Sequence, residues 1–307
     1  MRAILEWLGR QARWALPAGV FVGIVVPPLA GWLRPMVTAA VIGTLTAALV
    51  RLDWQRLGRT LSSPRLPALL VACLLVASPV VAWLVWRTGW VSDAVGRILV
   101  LQLAAPPIGS AAAFALIVGI DGVLSMIVTV AATLLLPLTL TAVVAVLLAD
   151  SGVAVDLGSF FVRVLVVVVT PFVLAGALRT GFGPARLARN DGLLAGLNVV
   201  VLVVFAVAVM DGVTARLLSD PAQIAGLLVL ACVVAVLGHA AGVLLFSRQG
   251  RDTALAAALL AGNRNLGLML AVTGGTAGAA FDLYVGVAQI PMYFAPLLLT
   301  PLARRLR

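Results

Sequence analysis

Leu259-Leu260-Ala261-Gly262-Asn263-Arg264-Asn265-Leu266-Gly267-Leu268-Met269 is the stretch that decides how this chain reads. Two asparagines flank an arginine, a glycine stands on either side, and leucines lead in and out. A solvated loop would not carry such flanks, and an unbroken membrane helix would not carry such a centre. The stretch reads as a helix that breaks part-way across a bilayer. A charge at that depth costs at least about 2.5–3.5 kcal/mol on insertion scales, so an arginine there marks a functional site by default.

The composition around it agrees. The 307 residues are 63% hydrophobic and 10% charged, against about 25% charged residues in a soluble domain. Apolar runs near the roughly 20-residue spanning length recur along the chain, which defines a polytopic helical membrane protein. The net charge of +10 is carried by arginine alone. In a soluble protein it would suggest nucleic acid; here the arginines sit in short loops and set topology, so no nucleic-acid partner is implied and the lipid bilayer is the expected surrounding. Cys73 and Cys232 fall in apolar runs without metal-ligand spacing and read as buried thiols. Met1 to Arg13, basic and followed by Trp14, reads as an interfacial segment leading into the first span.

Runs and their Arg, Asp, Gly and Pro punctuation give ten expected spans. They are about 14–33, ending at Arg34-Pro35, and then 35–50, 66–86, 93–120, 123–148, 158–178, 192–210, 221–246, 253–272 and 281–302. Loops are expected at Arg51-Leu52-Asp53-Trp54 with Arg56, Arg59 and Arg65, at Asp121-Gly122, and at Asp150-Ser151-Gly152. With ten spans, fifteen arginines share the side of both termini, Arg304, Arg305 and Arg307 among them. Five lie opposite, and Arg264 is left inside a span. That bias expects both termini in the cytoplasm of a multi-pass protein of the cell's inner (plasma) membrane. The fourth and ninth spans are interrupted, five apart. Interrupted helices at matching places in two inverted halves are the best sequence pointer to a secondary-transporter site.

Pro106-Pro107-Ile108-Gly109-Ser110 interrupts the fourth span. The prolines remove two backbone donors and clash with the preceding turn, and the freed carbonyls must be met by protein or by a watery cavity. In the ninth, Gly262 precedes Asn263-Arg264-Asn265. The amides can satisfy a broken backbone or hold a substrate. The forked guanidinium of Arg264 suits carboxylate, sulfate or phosphate; the bland alternative is an arginine that only ties the break together. Ser125, Thr129 and Thr133 recur every four residues in the fifth span, either lining a site or bonding back to their own helix. His239 is the lone histidine, a packing residue or a proton relay. Gln289 and Gln102 are further intramembrane polar groups. The eleven acidic residues all fall near span ends. No catalytic arrangement, metal cluster or phosphate loop is present, so an enzyme is not expected and neither is a cofactor.

Taken in order, these motifs resemble the bile acid:sodium symporter family nearly end to end. The resemblance is carried by Leu16-Pro17, Gly23, Pro27-Pro28, Arg34-Pro35 and Leu52-Asp53. It continues through Ala105-Pro106-Pro107-Ile108-Gly109-Ser110, Asp121-Gly122-Val123-Leu124-Ser125, Thr133-Leu134-Leu135-Leu136-Pro137 and Gly262-Asn263-Arg264-Asn265. It implies an all-α polytopic fold of ten helices in two inverted repeats of five. Panel helices would lie at about 14–50 and 158–210, and core helices at about 66–148 and 221–303. Broken helices four and nine would cross at the centre. It also implies transport of organic anions, usually with sodium.

This chain departs from the sodium-coupled pattern. A Ser-Asn pair near the fourth helix break corresponds to Ala111 and Ala112. A sodium-binding Glu before the ninth-helix Gly corresponds to Leu260, and a Gln after it to Arg264. Ser125 and Thr129 match hydroxyl positions of one sodium site. The expectation is a carrier of a small organic anion by alternating access without full sodium coupling, Arg264 supplying the positive charge. Its alternatives are a proton-coupled carrier through His239 and a non-transporting sensor or scaffold on the same fold.

Overall fold

The computed structural model describes residues 2–52, 54, 64–120, 122–149 and 156–305; the side chains of 113, 117, 118 and 294–305 are excepted. Asp53, Arg56, Arg59, Asp121, Asp150-Ser151-Gly152 and Arg307, and the side chains of Arg304 and Arg305, lie outside the described residues.

The described residues are mostly helical, joined by short turns and by two non-helical breaks. The helices are α1 (Arg2–Arg10), α2 (Ala12–Val25), α3 (Pro27–Leu33), α4 (Val37–Val50), α5 (Arg65–Ala72), α6 (Ser78–Arg87), α7 (Asp93–Ala104), α8 (Ala111–Val118), α9 (Val123–Leu147) and α10 (Leu157–Phe182). They continue with α11 (Pro184–Arg189), α12 (Asp191–Ala208), α13 (Val213–Ser219), α14 (Pro221–Phe246), α15 (Arg251–Gly262), α16 (Leu266–Thr273) and α17 (Ala279–Arg305). Among the described residues six helical runs are long and apolar enough to cross a membrane: Pro27–Val50, Arg65–Arg87, Val123–Leu147, Leu157–Phe182, Asp191–Ser219 and Pro221–Gln249. Large apolar side chains such as Leu244 (74%) and Leu218 (81%) are exposed on them. Such surfaces suit a hydrocarbon solvent and not water. The chain is an all-α membrane protein over these residues.

The chain divides into two compact units. One comprises 1–52, 169–232 and 282–307. Its spine is α12, which packs against α1, α2, α3 and α4. Arg51 pairs with Asp191 at 2.6 Å, Arg34 pairs with Asp282 at 2.6 Å, and Arg179 Nη1 donates to the Val50 carbonyl at 2.7 Å. The other unit comprises 53–168 and 233–281. It holds α5 to α9, α15 and α16, and so both interrupted helices.

Two sequence expectations need correction. The first span was expected to run to Leu33. The backbone turns instead at Val26 (φ −119°, ψ 69°), and the helix restarts at Pro27, continuing through a 3-10 turn at Arg34–Met36 to Val50. Pro27 and Pro28 open α3, where their missing N–H groups have no intrahelical partner to lose. Cys232 is exposed and Cys73 half-buried, so neither is a buried thiol.

Candidate functional site

Proline chemistry builds the first break. α7 would need the N–H groups of residues 106 and 107 to reach the carbonyls of Gln102 and Leu103, and prolines have none. The Gln102 carbonyl is met by Ala105 N–H at 3.2 Å, and α7 ends. Pro106, Pro107 and Ile108 run on buried, Gly109 and Ser110 emerge exposed, and Ser110 precedes α8 without a side-chain cap. The second break lies between α15 and α16. Asn265 caps α16, its Oδ1 accepting from Leu268 N–H at 3.0 Å.

The two breaks are stitched together. Pro107 and Arg264 form an antiparallel bridge. Ile108 N–H donates to the Asn263 carbonyl at 3.0 Å, and Asn265 N–H donates to the Pro106 carbonyl at 2.8 Å. Two segments that cannot continue their own helices thus satisfy each other's backbone, as a low-dielectric surrounding demands.

Arg264 is 4% exposed and turns into the protein. Its Nε donates to the Ala261 carbonyl (3.1 Å), its Nη1 to the Leu74 (3.0 Å) and Ala105 (2.9 Å) carbonyls, and its Nη2 to Ser78 Oγ (3.1 Å). Each carbonyl is an orphan for a local reason. Ala261 is in the last turn of α15, and Ala105 follows the end of α7. Leu74 sits in a π-helical turn at Cys73–Ala77, where Ser78 N–H bonds to Cys73, and the next candidate donor would be Pro79. Ser78 Oγ lies 2.7 Å from the Leu74 carbonyl and 2.8 Å from the Leu103 carbonyl, the group that Pro107 leaves bare, and its single proton goes to one of them.

Four of the five guanidinium N–H groups are therefore used by protein. Among the described residues no carboxylate pairs with Arg264. Its charge remains at the breaks, while its donors hold them to the π-turn between α5 and α6. Sequence reasoning missed Ser78 and the π-turn; the Ser78-Pro79 pair was the signal.

Asn263 and Asn265 are half-buried. Asn263 Nδ2 donates to the Leu259 carbonyl at 2.9 Å and lies 3.1 Å from His239 Nε2. His239 Nδ1 lies 2.7 Å from the Ala235 carbonyl. A carbonyl only accepts, so Nδ1 carries the proton and Nε2 accepts from Asn263. Gly262 permits this contact, because a Cβ there would overlap the His239 ring.

The hydroxyl stripe of α9 divides. Thr133 donates to the Thr129 carbonyl at 2.8 Å. Ser125 Oγ and Thr129 Oγ1 are buried without a partner among the described residues. Ser125 and Thr129 stand one turn apart on α9; Leu260 and Ala111, both fully buried, carry no side-chain oxygen. Gln289 belongs to the other unit. It is buried, its Nε2 donates to the Val285 carbonyl at 3.3 Å, and its Oε1 has no partner among the described residues. Gln102 is buried in α7.

Compared with models of known protein families and with curated proteins, the chain gives no match.

Proposed function

We propose that this chain is a secondary carrier of a small organic anion, working by alternating access across the inner (plasma) membrane. In this reading ten spans form two inverted repeats of five and both termini are cytoplasmic. The observation that supports it most is the stitched pair of broken helices around Arg264. It is a buried positive charge with no carboxylate partner among the described residues, flanked by half-buried Asn263 and Asn265 and by exposed Gly109 and Ser110. Irregular backbone at membrane depth is kept where it lines a cavity or is buried in protein. Arg264 then acts on the anion through its field, and the amides and the Gly109-Ser110 backbone make the contacts. An uncompensated charge in a medium of low dielectric favours an anion over several ångströms.

Sodium coupling is not part of the reading, because Leu260 and Ala111 provide no oxygen beside the Ser125 and Thr129 hydroxyls. The test is a thermal-shift screen of organic anions on purified protein, followed by uptake into proteoliposomes with sodium exchanged for choline. Anion-specific stabilisation and uptake that survives in choline are expected. Loss of uptake in choline would restore sodium as co-substrate. No shift and no uptake with any anion would leave the non-transporting scaffold.

One observation favours a second reading, proton coupling. His239 Nε2 accepts from Asn263 inside the break, so a proton gained by the imidazole removes an acceptor from the candidate site. Uptake driven by an imposed pH gradient, and lost in His239→Gln, would select it.

A further inference from the structure

Away from the breaks, the ends of α6, α7 and α9 enclose a cavity of about 290 Å³ in the second unit, lined by Trp83, Trp86, Arg87, Asp93, Arg97 and Leu147. Its walls are held in place. Trp86 Nε1 donates to Asp93 Oδ1 at 3.0 Å, and a Cβ at Gly96 would overlap the Trp86 ring, so the indole lies flat against α7. Arg87 is exposed and stacks over Trp83, 5.6 Å from the ring centroid. Arg97 Nε donates to the Asp93 carbonyl at 3.3 Å. Trp90, three residues beyond α6, is 86% exposed.

Three tryptophans at the end of an apolar helix mark the level of the lipid headgroups. The cavity at that level carries both signs of charge: two guanidinium groups, one carboxylate and two indoles. Guanidinium matches phosphate geometry, and a carboxylate beside aromatic rings suits an ammonium. We propose that this cavity binds the headgroup of a phosphoethanolamine phospholipid. The phosphodiester faces Arg87 and Arg97, the ammonium faces Asp93 and the indoles, and the acyl chains lie along the apolar surface of the helices.

The test is native mass spectrometry of the delipidated full chain titrated with phosphatidylethanolamine, phosphatidylglycerol or glycerophosphoethanolamine. One retained phosphatidylethanolamine is expected. Its affinity should fall about tenfold in Arg87→Gln, the worth of one charge-assisted hydrogen bond. It should be unchanged in Arg186→Gln, an exposed arginine likewise over an aromatic ring. Leu147→Trp, which fills the cavity without altering charge, should also expel the lipid. Three outcomes overturn the proposal. They are equal retention in Arg87→Gln and Leu147→Trp, phosphatidylglycerol held as tightly, and displacement by glycerophosphoethanolamine at the lipid's own concentration, which would make a free phosphate ester the ligand.

Discussion

Arg264 Nη1 lies 3.0 Å from the Leu74 carbonyl, the group that Pro79 leaves without a backbone donor. One side chain from the ninth expected span thus completes the backbone of the third, and through Ala105 that of the fourth. A buried carbonyl left unsatisfied costs roughly 1–3 kcal/mol. Arg264→Ala exposes several at once and is expected to destabilise the protein by about 3 kcal/mol or more. Arg264→Lys should recover only part of that, because a point ammonium cannot reach carbonyls in three directions. Thermal unfolding in detergent checks both. An unchanged melting temperature in Arg264→Ala would show that water fills the crossing and that the arginine is not its tie.

Ser78 and Pro79 should couple to Arg264. Ser78→Ala removes the hydroxyl between Arg264 Nη2 and the Leu74 and Leu103 carbonyls, and is expected to cost about 1–2 kcal/mol. Pro79→Ala restores a backbone N–H within reach of Leu74. It should therefore soften the loss in Arg264→Ala, leaving a coupling of about 1 kcal/mol in a double-mutant cycle. Strict additivity of the two would separate Pro79 from the orphaned carbonyl.

The breaks were legible in the sequence because their causes are local. Pro106-Pro107 removes its own donors, and Gly262-Asn263-Arg264-Asn265 is polar against leucine on both sides. The destination of Arg264 was not legible, since it depends on a π-turn nearly 190 residues earlier in the chain, at Cys73–Ala77, and on Ser78, which no periodicity links to residue 264. The same limit separates Thr133 from Ser125 and Thr129: three hydroxyls share one spacing, and packing alone decides which bonds back to its helix. Val26 is a different case. Pro27-Pro28 is as strong a punctuation as Pro106-Pro107, and assigning a full-length span across it concealed the turn.

Asp156 caps α10 from outside the membrane run. Ser159, through its hydroxyl and its N–H (3.0 Å to Oδ2), holds the carboxyl below its usual range. A depressed folded-state value means that the cap's contribution is complete above the ordinary carboxylate pKa of about 3.9 and fades as pH falls through the lower folded value. Hydrogen exchange at residues 157–160 should quicken in Asp156→Ala at neutral pH, and in the parent only in strong acid. Asp156→Asn should keep the cap and lose the pH dependence. Equal exchange in Asp156→Ala and the parent would mean that this end of α10 is held by packing alone.

His239 and Asn263 give the sharpest test of the break itself. Asn263 Nδ2 bridges His239 Nε2 at 3.1 Å and the Leu259 carbonyl at 2.9 Å. Gly262→Ala should quicken hydrogen exchange across 259–265, because its methyl group would overlap the imidazole and displace the ring from Asn263. His239→Ala, which removes the ring outright, should quicken it as well. Exchange over 259–265 unchanged in both variants would mean that the break is held by its backbone bonds to Pro106 and Ile108 and that the histidine only packs.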